Sequence, residues 1–186
     1  MRSLRQGTSS GRRRRGVYIV TGHRIFVRHS AVGAEDRLSV TVIKRCIRTV
    51  LSIEGIDPPC EVSVLVTGDS GIRGINREFR GIDKATDVLS FPMHSYVPGA
   101  AMPGAPDTDP ETGLLALGDI VMSAPGVIKQ ARENGQSTER ETAYLTVHSV
   151  LHLLGYDHTV GAAGKKLMRG REKAIMGEID RSGLLE

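Results

Sequence analysis

Apolar residues recur along this chain at two distinct periods, and the switches between them mark its elements. Leu38, Val42, Cys46, Val50 and Ile53 fall at helical spacing and predict an amphipathic helix from about Ala34 to Glu54, ended by Asp57-Pro58-Pro59. Before it, Tyr18-Ile19-Val20 and Ile25-Phe26-Val27 are short apolar runs that predict one or two strands between Gly16 and His29. After it, Glu61 to Thr67 alternates polar and apolar as a strand does. Asp69 is then an N-cap candidate for a helix through Ile72, Ile75 and Phe79. Asp87 to Phe91, stopped by Pro92, and Leu117 to Met122 complete the strands. Three further helices are predicted near Ala124–Asn134, Ser137–Leu154 and Gly164–Ile179. Strands early and helices late predict an α+β domain: a single mixed sheet of roughly four strands with helices packed around it.

Two segments break the pattern. Residues 93–113 carry Pro98, Pro103, Pro106 and Pro110 among glycines and acids, a loop long enough for a lid or substrate-facing insertion, although a variable surface loop fits equally. Residues 1–16 carry six arginines and no acid, with Ser and Gly between them and no apolar run, which predicts a disordered arm preceding one domain over 17–186.

The arm changes the meaning of the overall charge. The formal net charge is +4, but with the arm set aside 19 basic residues face 21 acidic ones, so the body is slightly negative. A charge run of this kind is more often a solvated tail than an RNA-binding device, and an organelle transit peptide shares its composition. No secretory h-region follows the arginines and no apolar stretch reaches bilayer length, so no membrane partner is expected. At 186 residues and 39% apolar content the chain can bury a core, built mainly from Val, Ile and Leu because Trp is absent. Cys46 and Cys60 form neither a CxxC pair nor a disulfide framework, which suits a reducing cytoplasm.

Half of the six histidines lie in His148-Ser149-Val150-Leu151-His152-Leu153-Leu154-Gly155-Tyr156-Asp157-His158. His148 and His152 share one face of the predicted helix, a turn apart. Gly155 permits a reversal that lets His158 swing back as a third nitrogen ligand. Three protein ligands leave a fourth position open, the arrangement of a catalytic zinc site, with one ion per chain. Zinc is the default for three imidazoles, although nickel, cobalt or copper bind such a set. Asp157 either orients a histidine through its ring N–H or caps the turn, and Tyr156 either faces the site or covers the helix end. The spacing is that of metzincin proteases, but the residue after the first histidine, where those place a general-base Glu, is Ser149.

A second constellation runs from Asn76 to Pro92. Arg80 and Lys84 there are candidate phosphate-binding residues, since an Arg fork holds phosphate through two parallel hydrogen bonds. With the histidine segment it resembles the YbeY family of bacterial metal-dependent endoribonucleases, the ribosomal RNA maturation factors. The matching features are His148 to His158, Asn76 with Arg80, Thr86-Asp87-Val88-Leu89-Ser90-Phe91-Pro92, Leu117-Gly118-Asp119-Ile120, and Met168 to Glu172. The resemblance covers about Glu61 to Leu185, and the arginine arm is unusual for the family. It implies a zincin-like α+β fold, zinc on His148, His152 and His158 in a cleft lined by positive charge, and Arg80 as the substrate-binding or catalytic arginine. It also implies 3′-end maturation of small-subunit ribosomal RNA and ribosome quality control. The implied partners are single-stranded RNA, the small ribosomal subunit and a ribosome-associated GTPase. The rival readings are a non-catalytic, zinc-stapled ribosome assembly factor and a metallopeptidase.

Overall fold

A computed structural model describes residues 22–99, 108–158 and 161–185. The arginine arm, the Tyr18–Val20 run and the middle of the long loop lie outside the described residues. Among those described, four strands form one mixed sheet: β1 (Arg24–His29), β2 (Cys60–Thr67), β3 (Val88–Pro92) and β4 (Leu115–Ser123), in the order β1-β2-β4-β3. β1, β2 and β4 run parallel, and β3 closes the edge antiparallel to β4. Five helices accompany them: α1 (Val40–Ile53), α2 (Asp69–Arg80), α3 (Ala124–Glu133), α4 (Thr138–Leu153) and α5 (Gly161–Arg181). The architecture is the expected α+β. No helix among the described residues is long and apolar enough to cross a membrane.

The sheet separates two cores of unequal size. Val62, Val64 and Val66 of β2 and Leu117, Ile120 and Met122 of β4 face the larger one, where they meet α1, α4 and α5. Among the described residues the opposite face is covered by α2, through a small cluster of Ile72, Leu89 and Val121. Strand β4 keeps its apolar residues inward although their period slips between Leu117 and Ile120, because a bulge opposite Glu61 and Val62 absorbs one residue. Gly118 makes this possible. Its φ is 140°, and a Cβ there would stand 2.2 Å from the Phe91 carbonyl oxygen.

Two predicted boundaries move for identifiable reasons. Helix α1 starts at Val40 rather than Ala34, because Ser39 caps it by accepting a hydrogen bond from Val42 N–H while buried Leu38 joins the core ahead of the cap. Asp69 is not the cap of α2. Gly68 holds that position, and the Asp69 carboxylate instead accepts a 2.5 Å hydrogen bond from the Ser123 hydroxyl. Helix α4 crosses the larger core and is buried on most of its circumference, with Thr142 and Thr146 donating their hydroxyls back to the carbonyls of Thr138 and Thr142 at 2.7 Å.

Candidate metal centre

Helix α4 delivers His148 and His152 from successive turns of one face, and then stops abruptly. Tyr156 N–H returns to the Leu151 carbonyl at 3.0 Å, and Gly155 takes φ 84°. That glycine is required twice. Its φ disfavours any side chain, and a Cβ would meet the Tyr96 carbonyl oxygen at 2.2 Å, so the first part of the long loop lies directly on this turn. The reversal returns His158 to the end of the helix. One ring nitrogen from each of His148, His152 and His158 lies within 4.8 Å of the other two.

Charged partners hold this arrangement from behind. Glu172 of α5 bonds His148 Nδ1 at 2.7 Å, which leaves Nε2 to face outward. Burial, and then the charges of His148 and His158, push the His152 pKa down to about 4, against a smaller opposing effect of Asp157. His152 is therefore neutral at physiological pH, the state in which imidazole binds a metal. Tyr156 faces away from the site. Its hydroxyl donates to Glu54 at 2.6 Å, and Arg171 donates to the same carboxylate at 2.6 and 2.8 Å. Desolvation together with the Glu54 carboxylate raises the Tyr156 pKa to about 12.

The three histidines open into a cavity of about 540 Å³. It is also lined by Arg80 of α2, by Asp87 just ahead of β3, and by Val88, Ser90 and Pro92 of β3. Arg80 is placed by a tied turn. Asn76 donates to the Lys84 carbonyl at 2.7 Å, and Arg73 pairs with Asp83 through two 2.8 Å bonds. Arg80 itself donates from Nη2 to the Ser90 carbonyl at 3.1 Å and lies 5.8 Å from the Phe91 ring centroid.

Sequence reasoning placed six residues at the site. Five of them, His148, His152, His158, Arg80 and Asp157, line the cavity. Lys84 does not. It is exposed, and it serves the turn through its backbone carbonyl. Nor is the wall generally positive: among the described residues, Arg80 is the one Arg or Lys side chain that lines it, beside Asp87 and Asp157. Glu172 and Tyr144 had been given no part. Tyr144 stands one turn before His148 on the same face, so its place was open to the helical-spacing argument.

The profile of the endoribonuclease YbeY family matches residues 27–180. The chain belongs to the endoribonuclease YbeY family. The match begins well before Glu61 and takes in the end of β1 and all of α1. The endoribonuclease YbeY of Clostridium kluyveri is 44% identical, over 76% of this chain and 93% of that protein. The one from Pelotomaculum thermopropionicum is 42% identical, over 79% of this chain and 90% of that protein. The solution structure of TM1509 from Thermotoga maritima shares the fold with a TM-score of 0.53 and 25% identity, covering 83% of this chain and 88% of that one.

Proposed function

We propose that this YbeY-family chain is a zinc-dependent endoribonuclease that cuts single-stranded RNA, with His148, His152 and His158 holding the ion and Arg80 binding the scissile phosphate. The observation that carries this reading is the convergence of three imidazoles on the wall of the cavity that Arg80 also lines. The donor set fits a divalent ion: nitrogens of suitable softness, one imidazole already oriented by a carboxylate and another kept neutral by burial. A zinc bound there supplies Lewis-acid polarisation of a phosphoryl oxygen and activation of water near neutral pH.

The chain's own residues supply the rest. Ser90 engages one donor of the Arg80 fork and Phe91 supports its plane, so the guanidinium is held in the wall where it offsets charge developing on the phosphate. Asp157, next to His158 in the same wall, is the carboxylate placed to take a proton from attacking water. Ser149 takes no part, being fully buried and outside the cavity. The position that carries a peptidase's base therefore has no carboxylate, which argues against the metallopeptidase. Among the described residues the cluster has three ligands rather than four, and it opens to a cavity, which argues against zinc as a mere staple of an assembly factor.

Within the same proposal, the biological substrate is the 3′ region of small-subunit ribosomal RNA. The chain acts in the cytoplasm in ribosome maturation and quality control, alongside the small subunit and a ribosome-associated GTPase. The family membership supports these points. The test is cleavage of single-stranded RNA by wild type, Arg80→Ala and His152→Ala, with metal content measured by mass spectrometry and product ends identified. Both variants are expected to lose cleavage, and equal activity in all three would sink the reading. The product ends also distinguish attack by water from attack by the RNA 2′-OH.

A further inference from the structure

The histidine cavity does not end at Tyr144. A second hollow of about 410 Å³ shares Gln130 and Tyr144 with it and continues along α4 toward that helix's N-terminus. The half-buried Tyr144 ring stands between the two, its centroid 6.2 Å from that of His148. A planar, partly exposed ring that close to a phosphate-cleaving centre is a stacking platform for a neighbouring base.

The chemistry of the second hollow follows from Glu141. This carboxylate is fully buried, and its Oε2 accepts from Asn134 Nδ2 at 3.2 Å and from Gln136 Nε2. Both amides turn their NH₂ groups toward this oxygen. The carbonyl oxygens of Asn134 and Gln136 therefore point away from Glu141, on the opposite edge of each amide. Arg140, the cation of this hollow, is already engaged by Asp180 through both terminal nitrogens. Beside Gln130, a tyrosine face and a pair of oriented acceptors are presented to a ligand.

We infer that this hollow is a nucleobase subsite: the nucleotide beside the scissile phosphate stacks on Tyr144 and donates its amino group to the carbonyls of Asn134 and Gln136. The inference rests on the endoribonuclease reading and adds a sequence preference to it. Cytosine, adenine and guanine carry an exocyclic amino donor. Uracil presents a carbonyl where cytosine has that amine, and two acceptors facing each other repel.

Metal-loaded protein acting on an RNA pool randomised around its cleavage point tests this by sequencing of the product ends. The expected result is depletion of uridine by about tenfold at one position adjoining the break. Tyr144→Ala should lower kcat/KM about tenfold on every sequence, and Tyr144→Phe, which keeps the ring, should recover most of that loss. A binding readout stands apart from turnover and from the stability of any hollow variant. His152→Ala protein should bind fluorescent oligocytidylate about tenfold more tightly than oligouridylate by anisotropy, and Asn134→Leu should narrow that gap. Cleavage with no base bias next to the break, or equal binding of the two oligonucleotides, overturns the subsite and leaves the nuclease intact. Failure of the loaded wild type to cut any RNA overturns both.

Discussion

The histidine wall and the arginine wall of the cavity are restrained very differently. On the histidine side, His148 is bonded to Glu172 at 2.7 Å, the turn is closed over a glycine by the Tyr96 backbone, and Tyr156 is tied to α1 and α5 through Glu54 and Arg171. All of this stands on the larger core. On the other side, Arg80 is exposed at the end of the helix that covers its sheet face, held by one 3.1 Å hydrogen bond and an aromatic ring. The contrast fits the two partners proposed for them. A small ion needs ligands fixed to a fraction of an ångström, and those ligands are braced from behind. An RNA strand needs a cation it can reach from solvent, and the exposed Arg80 side chain on the lightly covered face offers one.

Four experiments bear on that contrast. His158→Ala should abolish metal retention and lower RNA cleavage by on the order of 10³-fold, read by mass spectrometry and a cleavage assay. Arg80→Ala should cost about 10²-fold in kcat/KM while leaving metal content at the wild-type level. Loss of metal in that variant would break the division of labour between the walls. Glu172→Gln should weaken metal affinity by about 10- to 100-fold, measured by chelator competition, with Arg80 unaffected. The smallest effect belongs to Tyr156→Phe, which should lower stability by about 1 kcal/mol in thermal or denaturant unfolding.

That last variant also has a pH signature. Because folding raises the Tyr156 pKa from 10 to about 12, the folded protein retains a proton that the unfolded chain releases across this interval. Its contribution to stability is complete below pH 10 and is lost as the pH climbs toward 12. Buried Cys46 and Cys60, also raised to about 12, act in the same direction from pH 9 upward. Tyr156→Phe should therefore make the alkaline fall in Tm shallower without removing it.

The histidine cluster was legible because its geometry is local: an i, i+4 pair and a glycine turn need no knowledge of the rest of the fold. The strands from Glu61, Asp87 and Leu117 were legible for the same reason, each being a short periodic run between breakers. Glu172 was not, since it lies 24 residues from His148 and only the packing of α5 against α4 unites them. Tyr156 was left between two roles, and its actual partner, Glu54, is 102 residues away. Lys84 does not share the cavity with Arg80 because adjacency in sequence does not survive the turn after α2, where its backbone carbonyl is used. Asp69 is not the cap because Gly68 holds that position and Ser123, 54 residues away, engages its carboxylate.

The knot of Glu54, Tyr156 and Arg171 also sets an order of events during synthesis. Its members come from α1, the turn after α4 and α5, with Arg171 lying 117 residues beyond Glu54. A growing chain that has just delivered His158 holds all three histidines but neither Arg171 nor Glu172, so the imidazoles lack their braces. Glu172 for His148 and Arg171 for Glu54 are supplied only once α5 has been made. A chain cut short before Arg171 would carry every proposed ligand and still present an unfinished site, so emergence of α5 separates a partial product from a finished one.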